Sequence, residues 1–124
     1  MSHSRVERIG DQIREEIASM LVRGELKDPR IGFTTITRVK MSPDLKNAKV
    51  FFSVIGEGSD ADTTLEGLKS AAPYVRRELA RKLRLKYIPA VSFQYDASLA
   101  YAERIEGVLK EVKESDDAKE RENE

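Results

Sequence analysis

Lys69, Arg76, Arg77, Arg81, Lys82, Arg84 and Lys86 crowd one segment, LKSAAPYVRRELARKLRLK, against Glu78 alone. Each guanidinium carries a planar fork of donors that matches phosphate oxygens. On a helix the period of about 100° per residue puts Val75, Leu79 and Leu83 on one narrow apolar stripe. Arg77, Arg81 and Arg84 then fall roughly opposite it. Arg76 and Lys82 flank the stripe, where long stems cover apolar surface while the charged heads reach water. Like charges on one face repel unless an anion, or an acid from another element, sits over them. The chemistry offered is the holding of a polyanion. Arg30, Arg38, Lys40, Lys46 and Lys49 would extend that surface if a hairpin carried them to the same side.

Bond-making chemistry finds no comparable set. There is no cysteine, so disulfides, thiol catalysis and cysteine zinc sites are excluded. The single histidine, His3, lies in an expected flexible leader, residues 1–4, and is read as inert. GEGSD at 56–60 lacks the lysine of a phosphate-binding loop and reads as a plain loop. Glu111, Glu114, Asp116 and Asp117 read as a solvated helix end. No catalytic residue, metal site, cofactor or small-molecule substrate is expected. Phe51, Phe52, Phe93 and Tyr95 are of the type that stacks on bases in some RNA readers; packing is the preferred reading. In DPRIGF, Asp28 and Arg30 read as a lock between helix and strand, with Arg30 on a phosphate as the alternative.

The 124 residues suit one domain with a modest core. The formal net charge is zero, yet the charge is unevenly spread: residues 69–86 carry a net of +6, and residues 103–124 a net of −4. A neutral total therefore leaves a local field for an anionic partner. No apolar run approaches the roughly 20 residues of a membrane span, and the first residues carry no apolar secretory region. The expectation is a cytoplasmic protein, monomeric and without a membrane partner.

The elements that must position these cations follow from periodicity. Residues 5–23 repeat Val6, Ile9, Ile13, Ile17, Met20 and Leu21 at helical steps, with Gly24 placed to end the helix. Segments 32–41 and 47–55 are rich in β-branched and aromatic residues, and SPDLK between them carries turn chemistry. Ser59 or Asp60 is a cap for a helix to about Ala71. Pro73 lacks an N–H and suits the first position of a new helix, so two helices, about 60–71 and 73–84, are expected to meet at a bend. Residues 91–95 form a third strand. A last helix is expected from Asp96 along Leu99, Ala102, Ile105, Leu109 and Val112, followed by a disordered charged tail, 115–124. The order α-β-β-α-α-β-α describes an α+β domain over residues 5–114, with its helices on one face of a small sheet.

The blocks RVERIGDQIREEIASML, DPRIGFTTITRVKMSPDLKNAKVFFSVIG, LKSAAPYVRRELARKLRLKYIPAVSFQYDASL and RIEGVL, in this order and spacing, resemble the ribosome-binding factor A family. The resemblance covers about Arg5 to Val112. It implies a type II KH-like fold, association with the free 30S subunit, and a role in late 16S rRNA maturation. The family is also linked with cold adaptation of ribosome assembly. RNA-gripping KH domains use a GXXG loop between two helices, and this chain lacks one. The family's Ala-x-Gly bend is matched by Ala71 and Ala72 and departs at Pro73. RNA contacts are then expected from side chains, with Arg76, Arg77, Arg81, Lys82, Arg84, Lys86, Arg30, Arg38, Lys40 and Lys46 as the candidates.

Two functions stay open at this point. One is a non-catalytic assembly factor binding ribosomal RNA. The other is an adaptor whose arginine face meets an acidic protein surface.

Overall fold

The computed structural model describes residues 4–56 and 60–98. Helix α1, Arg5–Val22, starts where extended Ser4 accepts the Glu7 amide on its hydroxyl, satisfying one orphan N–H of the first turn. Ile9, Ile13, Ile17 and Met20, the residues of the helical repeat, are buried. The helix ends at Arg23, and Gly24 takes the left-handed φ of 69° that a side chain would strain.

Strands β1, Thr34–Met41, and β2, Asn47–Val54, pair antiparallel. The SPDLK turn between them is held by its own side chains. Asp44 Oδ1 accepts the Ser42 hydroxyl at 2.6 Å and the Lys46 amide at 3.0 Å, and the Asn47 amide donates to Ser42 Oγ. The register slips between Ile36 and Arg38, leaving Thr37 as a bulge. This explains why β1 does not alternate cleanly. One extra residue lets Ile36, opposite Phe52, and both Val39 and Met41, opposite Val50 and Ala48, share the inner face.

Residues Ala61–Leu83 form a single helix, α2, capped by Asp60, which accepts the Asp62 amide and the Thr63 hydroxyl. The expected pair of helices, 60–71 and 73–84, is thus corrected: Pro73 lies inside α2. A proline in a helix interior costs about 3 kcal/mol. Leu68 before it, and Val75 and Leu79 after it, are fully buried. Each such side chain contributes roughly 1.5–3 kcal/mol, so tertiary packing outweighs the local penalty.

Strand β3, Ala90–Tyr95, runs parallel to β2, giving the sheet order β1-β2-β3. Side chains of α1 and α2 meet Ile36, Val50, Phe52 and Phe93 in one core, so both helices cover the same face. Phe52 and Tyr95 pack edge to face at 5.9 Å, and Phe51 and Phe93 are buried, as packing aromatics. Asp96 accepts both the amide and the hydroxyl of Ser98, in the manner of the expected cap. The rest of the expected last helix, the charged tail 115–124 and residues 1–3 of the leader lie outside the described residues.

Candidate nucleic-acid interface

The basic segment divides between α2 and the link that follows it. Val75 and Leu79 are buried and Leu83 is half-buried, while Arg77 and Arg81 are exposed, as the helical wheel requires. Arg84 ends the helix in the left-handed conformation, φ 50°.

Several of the cations are engaged within the chain. Arg81 pairs with Glu78 at 2.8 Å, and this contact holds the Glu78 carboxyl below its ordinary pKa. Lys82 lies 3.5 Å from Glu16 Oε2 on α1. Arg76 Nε donates to the Pro89 carbonyl at 3.1 Å, tying the link before β3 back onto α2. Among the described residues, the guanidinium groups of Arg77 and Arg84 make no hydrogen bond or ion pair, and two helical turns separate them. The outward row expected at Arg77, Arg81 and Arg84 therefore has its outer members unpaired and its middle member neutralised.

The hairpin strands do not bring Arg38, Lys40 and Lys49 to this helix. Arg38 and Lys40 stand across from Phe51 and Lys49, so all three cations occupy the outer face of the sheet, away from α2. Arg38 stacks 4.1 Å over the Phe51 ring. Arg30 forms a bidentate pair with Asp28, with contacts of 3.0 and 2.7 Å, and donates to Ser70 Oγ on α2 at 2.8 Å. The Arg30 side chain and amide hold the Asp28 carboxyl at a pKa of about 2. This is the geometry of a lock between the DPRIGF turn and α2. Lys46 belongs to the turn, its amide on Asp44.

Ala71, Ala72 and Pro73 lie mid-helix, and Pro73 is exposed. Proline offers no amide to a phosphate. Phosphate contacts on this helix are therefore left to side chains.

Arg5 and Arg8, absent from the sequence-derived candidates, join the same basic surface. The first turns of α1 meet the end of α2 across a cleft of about 440 Å³ that Arg5, Arg8, Arg84 and Lys86 border together. Nothing in the spacing along the chain signals this, because the two helix ends are brought together only by the sheet beneath them. Among the described residues, no helix is long and apolar enough to cross a membrane, and no group of acidic or histidine side chains is placed to hold a metal.

With the geometry in place, comparison with known proteins assigns the fold. A Thermus thermophilus ribosome-binding factor A crystal structure superposes with a TM-score of 0.65 at 22% identity, covering 74% of this chain and 97% of that one. A homology model of the Thermus thermophilus ribosome-binding factor A, as fitted into a cryo-EM map of a 30S complex with that factor, matches with a TM-score of 0.58 at 22% identity, covering 75% of this chain and 93% of that one. The α+β architecture is KH-like, as these structures are. A Citrifermentans bemidjiense ribosome-binding factor A is 47% identical over 113 residues, 91% of this chain and 94% of that protein. The sequence profile of ribosome-binding factor A matches residues 5–109. The chain belongs to the ribosome-binding factor A family.

Proposed function

We propose that this protein binds the free 30S ribosomal subunit, or its precursor, and assists late maturation of 16S rRNA without making or breaking a bond. Residues 5–114 act as the binding domain, in a monomer working in the cytoplasm. Phosphates are held by Arg77 and Arg84, with Arg76 and Lys86 beside them. Arg81 and Lys82 exchange their carboxylate partners for RNA only at a cost, so they contribute less than their number suggests. Arg30, Arg38, Lys40 and Lys46 serve as outlying contacts on other surfaces.

The observation that carries the reading is that Arg77 and Arg84, on a chain of this family, make no hydrogen bond or ion pair among the described residues. A homology model of the Thermus thermophilus factor has been fitted into a cryo-EM map of its 30S complex. The adaptor reading predicts the same exposed cations but a protein partner, and salt separates the two. Neutralising 6–10 phosphates costs roughly 10³–10⁵ in affinity between about 50 and 200 mM salt.

The test is co-sedimentation with purified 30S subunits across that salt range, for the wild type and for Arg77→Glu with Arg84→Glu. Loss of co-sedimentation in the variant, with thermal unfolding unchanged, supports the assignment. Co-sedimentation undiminished in the variant removes this face from the interface. A shallow salt slope that survives nuclease treatment turns the reading towards a protein partner.

A further inference from the structure

The cleft between the start of α1 and the end of α2 is more than a charged rim. Its lining places Arg5, Arg8, Arg84 and Lys86 around one acid, Asp44, and beside them stands Tyr87. Asp44 Oδ1 already accepts the Ser42 hydroxyl and the Lys46 amide. Among the described residues the guanidinium groups of Arg5, Arg8 and Arg84 have no partner. The N-terminal turn of α1 adds the positive end of its dipole to the same place.

Tyr87 is 61% exposed, and Lys86 Nζ lies 5.4 Å from its ring centroid. A single exposed aromatic needs no explanation. An aromatic face beside four cations, at the edge of a concavity of about 440 Å³, matches how proteins hold unpaired nucleotides. There, bases stack on aromatic rings while cations follow the backbone. A paired base keeps its faces inside the duplex stack and has none to offer Tyr87. The left-handed φ of Arg84, uncommon for a residue with a side chain, turns the chain out of α2 and into the link that presents Tyr87.

We infer that this cleft is a single-stranded RNA site that stacks one unpaired base on Tyr87 and clamps its flanking phosphates with Arg5, Arg8, Arg84 and Lys86. It rests on the RNA-binding reading above and adds to it the class of RNA taken, an unpaired segment. Arg5 and Arg8, outside the α2 face, become phosphate ligands.

The test uses the full chain and a fluorescein-labelled uridine octamer, read by anisotropy at about 50 mM salt, with a duplex of the same length as control. Tyr87→Leu is expected to weaken octamer binding by about tenfold or more and to leave duplex binding unchanged. Tyr87→Phe keeps the ring and should keep the affinity. Arg5→Gln with Arg8→Gln should weaken octamer binding and flatten its salt dependence by about two phosphate contacts.

An octamer affinity unchanged in Tyr87→Leu overturns the proposal. So does a wild type that binds the duplex as tightly as the octamer, or neither. Co-sedimentation of the same wild-type preparation with 30S subunits distinguishes the failures. Subunit binding without octamer binding sinks the cleft and spares the functional reading, while loss of subunit binding sinks the reading itself.

Discussion

Lys82 Nζ lies 3.5 Å from Glu16 Oε2, joining the basic segment of α2 to the acidic side of α1. Glu16 Oε2 is buried and has no hydrogen bond, so the ammonium is the charge that faces it. A lysine that composition alone assigns to a partner thus has a task within the fold. Both side chains are less than a third exposed, which makes the contact more than a surface pair.

Lys82→Ala is expected to destabilise the protein by about 1–3 kcal/mol, because it leaves a buried carboxylate oxygen without its compensating charge. Glu16→Gln in the same background should recover part of the loss. Urea unfolding of both single variants and the double variant reads the coupling directly. Purely additive effects would show that the contact contributes nothing.

Pro73→Ala should stabilise the fold. It restores an N–H to the interior of α2 and relieves crowding at the carbonyl of Lys69, an effect of at most about 3 kcal/mol. Pro73 is exposed, so no packing is lost. A higher melting temperature with stronger helical circular dichroism is the expected outcome. A lower melting temperature would mean that the native backbone depends on the proline ring.

Gly67→Ala should destabilise despite the better helix propensity of alanine. An added Cβ would stand 2.7 Å from Ile31 Cγ1 and 3.2 Å from the Ile31 amide nitrogen. The close approach is what lets the DPRIGF turn sit against α2, where Arg30 reaches Ser70. Propensity gains about 1 kcal/mol and overpacking costs about 1–3 kcal/mol, so the net loss should be small and measurable by thermal unfolding.

Acid should weaken the protein in a defined window. Asp28 is lowered from 3.8 to about 2 by hydrogen bonds from Arg30, and Asp96 is lowered by Ser98 and Thr37. A depressed carboxyl stabilises the native state above its unfolded pKa and loses that effect as pH falls toward the folded value. The urea midpoint should therefore drop between about pH 4 and pH 2. Asp28→Asn should shallow the drop, and an unchanged slope in that variant would exclude the Asp28–Arg30 pair as a source.

Much of this architecture can be read along the chain, for reasons that are local. The spacing of Ile9, Ile13, Ile17 and Met20 defines α1, and Ser42 and Asp44 carry the hairpin turn in their own hydrogen bonds. Pro73 misleads because its penalty is local and what overrides it is not: Leu68, Val75 and Leu79 are buried against other elements. The contact between Lys82 and Glu16 and the cleft bordered by Arg5 and Arg84 likewise join residues that only the folded sheet brings near. For Arg38 and Lys40, a bulge at Thr37 decides the face, and β-branched content gives no hint of a bulge. Glu78 is the one acid among the cations in the sequence, and it is the partner Arg81 takes.

The parallel pairing of β2 with β3 carries a kinetic consequence. All of α2 intervenes between the two strands, so their ladder closes only after a long loop has lost its freedom, a step that slows assembly. During synthesis β3 also leaves the ribosome last of the three strands. Until it arrives, the edge of β2 that β3 covers has no strand to pair with.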